Sequence, residues 1–540
     1  MAEVFQNEFT YRHFVEAGKE EDFDRAFEEA VEQVKKNELG KTIPMYIGGK
    51  AVVAEETMSE SSPIDGTLIG TFQKGTRAHA QQAVEAALGA FEQWSSLSYK
   101  ERANIFRNAA EIFRKRKFEI AAVLSIENGK SRYESVGEVD EAIDFLNYYS
   151  QEYEKNKGYS RKTQLGASTA KVEAGFQGAP GAMEQITIAM KPYGVFGVLA
   201  PFNFPISISV GMSSGAMITG NTVVFKPSST DNMSLLTGLK IYEVFKEAGV
   251  PDGVFNYVTG PGSEVGDELV VSNKVSGIVF TGSRAVGMSM MKKVLDMGMQ
   301  KVFVIEMGGK NPAIVSKYAN IDDAVAGVAS AAFGFDGQKC SACSRVYVHE
   351  SIKEEFVSKL IEKARSFAIG DPLKKEVYMG PLISQKALEK YKQAIEEAKS
   401  EGRVLYGGNS VDTGLKGAYV EPAIVEVEQS SRIMHEELFV PVLAIDTFKN
   451  FKEALQKAND TEYGLTAGLY SQKRSEIKEF VNGIQAGVVY VNRRTSATTG
   501  AIVGAHTFVG WKGSGSTGKG TGSKHYLQQF LREQSLAIVK

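Results

Sequence analysis

Cysteine is nearly absent from this sequence: the 540 residues include two cysteines. Two cysteines cannot build a disulfide framework, and such scarcity favours a reducing compartment. The first thirty residues are acidic and amphipathic rather than basic and then apolar, so they do not resemble a secretory signal. We therefore expect a cytoplasmic protein.

The sequence also lacks an excess of charge of either sign. It has 62 lysines and arginines against 65 aspartates and glutamates, for a formal net charge of −3. This balance indicates no basic surface for nucleic acid. The uncharged segment 192–225 is interrupted by prolines, serines and glycines, so it does not reach the roughly 20 apolar residues of a membrane span. We expect neither nucleic acid nor a membrane as a partner.

Patterns for metal binding are missing as well. The six histidines are scattered, and Cys340 and Cys343 form one Cys-x-x-Cys pair with no second pair. A structural zinc site needs four ligands, so this pair does not predict one, although a redox pair stays possible from spacing alone. The turn from Gly282 to Gly287 lacks the G-x-G-x-x-G fingerprint of an ordinary Rossmann dehydrogenase. We predict no metal site.

What the sequence does contain is a regular alternation of short apolar runs and helical segments. The spacing predicts a doubly wound parallel sheet of the α/β class, which binds its ligand at the carboxyl ends of the strands. Asn203, Lys226 and Gly282 each follow a predicted strand, so we expect them on one rim of the sheet. The predicted strands cover residues 195–200, 222–225, 254–258, 275–280 and 301–305.

Three further regions complete the predicted organisation. Helical periodicity runs through residues 77–149. A second α/β domain begins soon after Gly308, with strands predicted near 346–349, 425–429, 442–448 and 486–492. The polar segment 159–187 and the apolar tail 535–540 fit neither domain, and unpaired strands of this kind invite pairing between subunits. We expect a small β arm that joins a homo-oligomer.

Three residues offer the chemistry of a thiol enzyme. Cys340 lies in a Gly-rich turn, where its backbone N–H could point at a developing oxyanion. Asn203 supplies a neutral amide donor, and Glu306 ends a buried strand, where desolvation could raise its pKa into the range of a general base. Each residue alone also fits an ordinary structural role: a buried small side chain, a turn former and a charge at a strand end.

Seven motifs together resemble the aldehyde dehydrogenase superfamily in order and approximate spacing, over residues 45–540. They are Pro201-Phe-Asn-Phe-Pro205, Lys226-Pro-Ser-Ser229, Phe280-Thr-Gly-Ser283, Glu306-Met-Gly-Gly-Lys-Asn-Pro312, Gly337-Gln-Lys-Cys340, Glu436-Glu-Leu-Phe-Val-Pro441 and Phe508-Val-Gly-Trp-Lys-Gly-Ser-Gly515.

The resemblance implies NAD(P)-dependent oxidation of a small aldehyde through a cysteine thioester. In it Cys340 matches the nucleophile, Glu306 the base that activates the deacylating water, and Asn203 the amide of the oxyanion hole. Phe508 would line the aldehyde site. The residues implied to bind the cofactor are Lys226, Ser229, Gly282, Ser283, Glu437 and Phe439.

The sequence departs from the family pattern at three positions. Val440 and Val509 stand where glycine is usual, and a β-branched side chain there could reshape the pocket. Ser229 replaces an acidic residue, which removes a negative charge from where a 2′-phosphate would lie. We therefore expect NAD as cofactor, with NADP possible.

The substrate is implied by segment 334–345 and by the tail near residues 513–527. Both resemble the branch of the family that oxidises glutamate γ-semialdehyde (pyrroline-5-carboxylate) in proline or arginine breakdown. By this resemblance Ser341, Gly513 and Ser514 would bind the substrate's α-carboxylate. The alternatives are a dehydrogenase of another small or carboxylated aldehyde and a non-catalytic structural relative. The intact set of Cys340, Glu306 and Asn203 argues against the last.

The resemblance also assigns roles to the predicted units of the chain. Residues 1–158 and 188–307 would form the NAD(P)-binding domain, and residues 308–512 the catalytic domain. Residues 159–187 and 513–540 would form the oligomerisation arm. The pattern assigns no role to Cys343.

Overall fold

The computed structural model of the protein describes residues 5–166, 183–230, 232–494 and 502–539. Its first large sheet is the predicted doubly wound sheet, in which five adjacent strands are parallel and two more are added antiparallel at one edge. In spatial order the strands are Val302–Met307, Val275–Gly282, Val195–Leu199, Thr222–Lys226, Phe255–Tyr257, Met45–Ile47 and Lys50–Val52.

Both faces of this sheet are buried. Along the strands, Val198 and Val223 pack into the hydrophobic cluster on one face, whereas Val195 and Val224 pack into the cluster on the other. Neighbouring side chains of a strand point to opposite faces, so a sheet covered on both sides needs uninterrupted apolar runs. The helices that connect the parallel strands are Ser207–Ile218, Leu235–Glu247, Asp267–Val271 and Arg284–Asp296.

The predicted helical region 77–149 is four helices rather than one. Ser98 starts the second helix with a capping box, because its hydroxyl accepts the Glu101 N–H and the Glu101 carboxylate accepts the Ser98 N–H. Gly129 ends the third in the left-handed conformation, with φ of 75°. The four helices are Arg77–Ser96, Tyr99–Lys115, Lys117–Asn128 and Arg132–Lys155.

The second large sheet also has seven strands, parallel except at one edge. The chain enters it directly from the first sheet, through residues 308–310. Its strands, in spatial order, are Arg403–Tyr406, Ala423–Glu426, Val442–Phe448, Cys343–His349, Asn311–Val315, Thr466–Tyr470 and Val488–Val491. Its helices are Ile321–Phe333, Lys353–Arg365, Gln385–Glu401, Phe451–Asn459 and Arg474–Gly483.

A third, antiparallel sheet pairs the two segments that fit neither domain. Strand Leu531–Val539 pairs with Met183–Pro192, which pairs in turn with Arg161–Gly166. Part of the predicted arm, residues 167–182, lies outside the described residues. Residues 514–516, which we assigned to the arm, instead bond to the edge strand of the first sheet: Met307 N–H donates to Ser514 O (2.8 Å) and Ser516 N–H to Ile305 O (3.0 Å). The role of the arm in joining subunits stays a prediction.

The N-terminal part adds two helices and a small sheet to the first unit. No described helix has the length and apolar character to cross a bilayer. Within the same described ranges no group of three or more histidine, cysteine, aspartate or glutamate side chains could hold a metal ion. The helices are Thr10–Glu16 and Glu20–Asn37, and the strands are Lys41–Ile43, Leu68–Gln73 and Thr57–Ser61.

Candidate active site

A cavity of about 570 Å³ lies where the two large sheets meet. Most of the residues predicted from the sequence line it, including all three that carry the predicted chemistry. The predicted residues on its wall are Asn203, Gly282, Ser283, Glu306, Cys340, Glu437, Phe439 and Phe508. Those that do not line it are Lys226, Ser229, Ser341, Gly513 and Ser514.

The topology of the first sheet explains this position. Strand Val195–Leu199 is the middle one of the five parallel strands, and the chain continues from it first to one side and later to the other, into Val275–Gly282. The loops after these two strands diverge, which opens a crevice at their carboxyl ends. Pro201 and Gly282 line the cavity from these two loops.

The Cys340 loop is held by a neighbouring strand. The Asn311 side-chain amide donates to the carbonyls of Cys340 (2.7 Å) and Ala342 (2.9 Å). Upstream, Phe335 and Asp336 have positive φ of 48° and 55°, a conformation that costs energy for residues with a Cβ. Cys340 is partly exposed to the cavity, whereas Cys343 is buried. The fold therefore presents Cys340, not Cys343, to a ligand.

The surroundings of Cys340 favour the neutral thiol over the thiolate. Burial, followed by the negative charges of Glu437 and Glu306, raises the pKa of this thiol well above its usual range, and the nearby N–H groups of Cys340 and Ser341 offset only part of the rise. Because the thiolate is the reactive form, attack on a substrate requires a base in the same cavity.

Asn203 lies against the segment that carries the thiol. Its buried side-chain amide donates to the carbonyl of Gln338 (3.0 Å), two residues before Cys340. A carboxamide has two N–H donors, so one can hold Gln338 while the other faces the cavity. Asn203 and Cys340 line the same cavity, and a joint role of the Asn203 amide and the Cys340 N–H in binding an oxyanion stays a prediction.

Glu306 is the penultimate residue of the edge strand Val302–Met307 and lines the cavity. Burial raises the pKa of its carboxyl well above the ordinary range, although the carboxylate accepts the Gly510 N–H (3.0 Å). A carboxyl group with a raised pKa is a better proton acceptor once ionised. Glu306 can therefore exchange protons with water near Cys340.

Glu437 and the loop that carries Cys340 lie very close to two glycines, Gly308 and Gly309. The Glu437 carboxylate accepts the Gly309 N–H (2.9 Å), and burial raises the pKa of Glu437 to about 7. A Cβ on Gly308 would lie 2.3 Å from a Glu437 carboxylate oxygen, and one on Gly309 would lie 2.4 Å from the Cys340 carbonyl oxygen. At Gly309 the close atom belongs to the backbone, so this approach requires glycine, whereas at Gly308 a Cβ would displace the Glu437 carboxylate.

The remaining predicted cofactor residues form two groups. Gly282 and Ser283 lead into helix Arg284–Asp296, and such an N-terminus can bind phosphate. Lys226 and Ser229 are buried just off the cavity, where the Lys226 ammonium and the Ser229 hydroxyl both donate to Pro227 O (3.1 and 2.8 Å). Burial lowers the pKa of Lys226 to about 8.

The two valines in place of family glycines do not themselves have a positive φ. At the first departure the positive φ, 60°, falls on Phe439 and not on Val440. The Phe439 ring packs edge-on against Phe202, with ring centroids 5.9 Å apart. Val509 likewise has no positive φ. Val440 lines the cavity, and the neighbouring Phe439 carries the unfavourable conformation.

The predicted carboxylate contacts of Gly513 and Ser514 are not supported by the geometry. The Gly513 N–H donates to Glu462 O (2.9 Å), and the Ser514 N–H donates to Trp511 O (3.0 Å). The Ser514 hydroxyl accepts the Gly464 N–H (3.1 Å) and donates to Gly308 O (2.7 Å). Neither residue reaches the cavity, because these bonds tie the segment to the protein. Ser341, also buried, likewise does not line the cavity.

The sequence analysis missed residues that hold the site together. Asn311 belongs to a motif that we identified, but its carboxamide also accepts the Thr466 N–H (2.9 Å), a bond that no spacing predicts. Gln338 precedes the thiol by two residues, and its side-chain oxygen accepts the Ile383 N–H (2.9 Å). Asn311 and Gln338 both lie within motifs that the sequence analysis identified, and this was the signal that could have pointed to them.

A family profile and two related proteins of known name match this chain over most of its length. The sequence profile described as "Aldehyde dehydrogenase family" matches residues 52–536. The chain is 38% identical to 1-pyrroline-5-carboxylate dehydrogenase 1 of Halalkalibacterium halodurans, over 95% of this chain and 96% of the relative. It is 37% identical to 1-pyrroline-5-carboxylate dehydrogenase of Bacillus licheniformis, over 98% of this chain and 99% of the relative.

A solved structure extends the similarity to three dimensions. The crystal structure of 1-pyrroline-5-carboxylate dehydrogenase from Thermus with bound NAD has a TM-score of 0.89 to this chain at 35% identity. It covers 100% of this chain and 99% of the Thermus chain. The predicted fold class is confirmed.

We expect Ser514→Ala to lower stability rather than to change substrate preference. The lost hydroxyl would leave two buried backbone groups without a partner, which costs about 1–3 kcal/mol in the free energy of unfolding. Denaturant unfolding measures this loss.

Ser516→Ala is the matched control. Its hydroxyl also bridges two backbone groups, accepting the Ile305 N–H and donating to Phe303 O, but the residue is exposed, so water can replace it. If Ser514→Ala instead kept the parental stability and lost selectivity for a carboxylated aldehyde, Ser514 would act on the substrate and not, as we conclude, on the backbone of Gly308 and Gly464.

Proposed function

The chain belongs to the aldehyde dehydrogenase family, and from this membership we propose that it oxidises glutamate γ-semialdehyde to glutamate with NAD. The observation that carries the proposal is that Cys340, Glu306 and Asn203 line one cavity. The names of the relatives support this particular aldehyde and a place in proline or arginine breakdown. A dehydrogenase of another small or carboxylated aldehyde is the alternative.

In the proposed first step the Cys340 sulfur attacks the aldehyde carbon. The thiol must lose its proton, which passes to water in the cavity as the new bond forms, so that Glu306 stays available for the later hydrolysis. The new carbon–sulfur bond gives a hemithioacetal. Its oxygen carries developing negative charge, which the Asn203 amide and the Cys340 N–H stabilise.

The residues of the cavity fit a dinucleotide cofactor. Gly282 and Ser283 would meet its pyrophosphate at the helix N-terminus, Glu437 the nicotinamide ribose and Lys226 the adenosine ribose. When bound, NAD accepts the hydride from the substrate carbon. The neutral Ser229 puts no repulsive charge near a 2′-phosphate, so we expect NADP to serve as well.

The second half of the proposed reaction is hydrolysis of the Cys340 thioester. Glu306 removes a proton from water, the water oxygen bonds to the thioester carbon, and the same two donors stabilise the tetrahedral oxyanion. The carbon–sulfur bond then breaks, which releases the carboxylic acid and returns the Cys340 thiolate. Glu306 must be ionised for this role. Because its pKa is raised, the reactive form increases with pH.

We also propose that the chain forms a homo-oligomer in the cytoplasm. The outer strand Leu531–Val539 has one hydrogen-bonded neighbour among the described strands, and Leu536 and Ile538 on it are 48% and 43% exposed. Such an edge is suited to pairing with another subunit. The unpaired thiols of Cys340 and Cys343 suit a reducing compartment.

A panel of aldehydes assayed separately with NAD and NADP tests the proposed substrate. Selection of a carboxylated aldehyde requires at least one charge-assisted hydrogen bond from a donor other than Ser341, Gly513 and Ser514, and such a bond contributes about 1.5–3 kcal/mol, or about one to two decades in kcat/KM. We therefore expect glutamate semialdehyde to exceed hexanal by at least about tenfold. Equal kcat/KM for glutamate semialdehyde and hexanal would refute the proposed substrate and indicate a general aldehyde dehydrogenase.

Replacement of each cysteine separates nucleophile from bystander. Cys340→Ala should abolish oxidation and leave the NAD dissociation constant nearly unchanged, because the thiol forms the covalent intermediate but the cofactor is held by other residues. Cys343→Ala should retain most activity. An inactive Cys343→Ala beside an active Cys340→Ala would disprove the assignment.

Glu306→Gln should separate oxidation from hydrolysis. We expect one burst of reduced nicotinamide per active site, followed by a stall at the thioester, measured by stopped-flow absorbance. In the parent the hydrolysis rate should rise with pH as Glu306 ionises, and the variant should lose that dependence. Steady turnover of Glu306→Gln at the parental rate would remove Glu306 from the mechanism.

A further inference from the structure

A fully buried ion pair lies beside the cavity but does not line it. Lys130 and Glu138 contact each other, and both side chains are 0% exposed. Lys130 follows the end of helix Lys117–Asn128, and Glu138 lies on helix Arg132–Lys155. Burying two charges carries a large desolvation penalty, and a pair of apolar side chains of similar size is often as stable. Stability alone does not account for this choice of residues.

Lys130 holds the backbone of the loop that carries Asn203. Its ammonium donates to the Asn203 carbonyl oxygen (2.7 Å) and lies 3.9 Å from the centre of the Phe204 ring. The side-chain amide of Asn128 donates to the preceding carbonyl, that of Phe202 (3.4 Å). Two consecutive carbonyls of this loop are therefore fixed from one turn, residues 128–130.

Glu138 holds the other end of the same loop. One of its carboxylate oxygens accepts the N–H groups of Ile206 (2.8 Å) and Ser207 (3.2 Å), where helix Ser207–Ile218 begins. The carboxylate thus binds both the first amides of this helix and the ammonium that binds Asn203. The pair spans the loop from Asn203 to Ser207.

The ammonium also touches the segment that leads to the thiol. It lies 4.7 Å from the centre of the Phe335 ring, in the turn before Cys340. Asn203 reaches the same segment through its bond to Gln338. Lys130 is therefore packed between the two chain segments that supply the two donors of the oxyanion site.

We propose that the Lys130–Glu138 pair is a positioning device for the oxyanion site, which sets the Asn203 amide relative to the Cys340 N–H. This inference rests on the proposed function. A hydrogen-bonded ion pair has fixed directions, whereas an apolar contact would let the loop shift. A displacement of about 1 Å at a catalytic group can cost about 100-fold in rate.

A second buried pair provides a matched control. Lys117 and Asp140 lie on the same two helices, 2.5 Å apart, with side chains 7% and 9% exposed. Asp140 accepts the Thr10 hydroxyl (2.7 Å), so this pair ties down the N-terminal helix Thr10–Glu16. Neither residue lines the cavity.

The test replaces each pair by neutral side chains of similar size. Lys130→Met/Glu138→Gln should lower the single-turnover rate of hydride transfer by about 10- to 100-fold, with the NAD dissociation constant unchanged within about twofold. Lys117→Met/Asp140→Asn should keep the rate within about threefold, whatever it loses in thermal stability. If the first exchange does not fold, Glu138→Gln alone, which retains an acceptor for Ile206 and Ser207, should show the same selective loss.

A double-mutant cycle distinguishes positioning from general stability. If the pair acts through Asn203, exchanging it in an Asn203→Ala background should cost less than about threefold, because the amide it positions is already gone. If the losses from the pair exchange and from Asn203→Ala multiplied, the proposal would be overturned. It would also be overturned if Lys117→Met/Asp140→Asn lost as much rate as Lys130→Met/Glu138→Gln, or if the latter kept the parental rate.

Two substrates keep this test independent of the substrate assignment. The oxyanion is the same for every aldehyde, so the variant should lose the same factor with hexanal as with glutamate semialdehyde. If the unsubstituted protein oxidised hexanal but not the semialdehyde, the proposed substrate would be refuted. The ratio of the hexanal rates of the unsubstituted protein and the Lys130→Met/Glu138→Gln variant would still test the role of the ion pair. A loss confined to the semialdehyde would contradict positioning of the oxyanion site.

Discussion

The close approach of other groups to Gly308 and Gly309 is the constraint on which the site depends, at the point where the chain passes from one large sheet to the other. These residues connect the last strand of the first sheet to a strand of the second, and they have no side chain to keep other groups away. The Glu437 carboxylate and the Cys340 carbonyl occupy the space that a Cβ would need. With that contact in place, Glu306 lies just before the crossing and Asn311 just after it, so the base and the thiol loop share one cavity.

The same closeness sets the chemistry of the site. Burial raises the pKa of both Cys340 and Glu306, and the carboxylates add to the rise at the thiol. Each proton is therefore held until a base or a water accepts it, and the ionised forms that result are strong nucleophiles and bases. In a site of this kind little of the thiol is ionised before a substrate binds. Its reactivity therefore depends on the geometry of the groups around the substrate.

Much of the fold could be predicted from the sequence because the pattern is local. A sheet buried on both faces needs consecutive apolar residues, and Val223 and Val224 satisfy that need on opposite faces. The interruption of the helical region was less visible, since it depends on single residues: Ser98 starts one helix through a capping box, and Gly129 ends another in the left-handed conformation. The site was predicted where residues follow strands, as Asn203 and Gly282 do, because parallel strands bring their carboxyl ends to one edge.

The sequence by itself determined the alternation of strands and helices, the crevice at the strand ends and the presence there of a thiol, a carboxyl and an amide. Only the tertiary structure decided which polar groups satisfy one another. Ser514 is bound to Gly308 and Gly464, and Lys130 to Glu138 and Asn203, across distances along the chain that no motif records. Hydrogen bonds and desolvation depend on separations in space, and these are fixed only when the whole chain has folded.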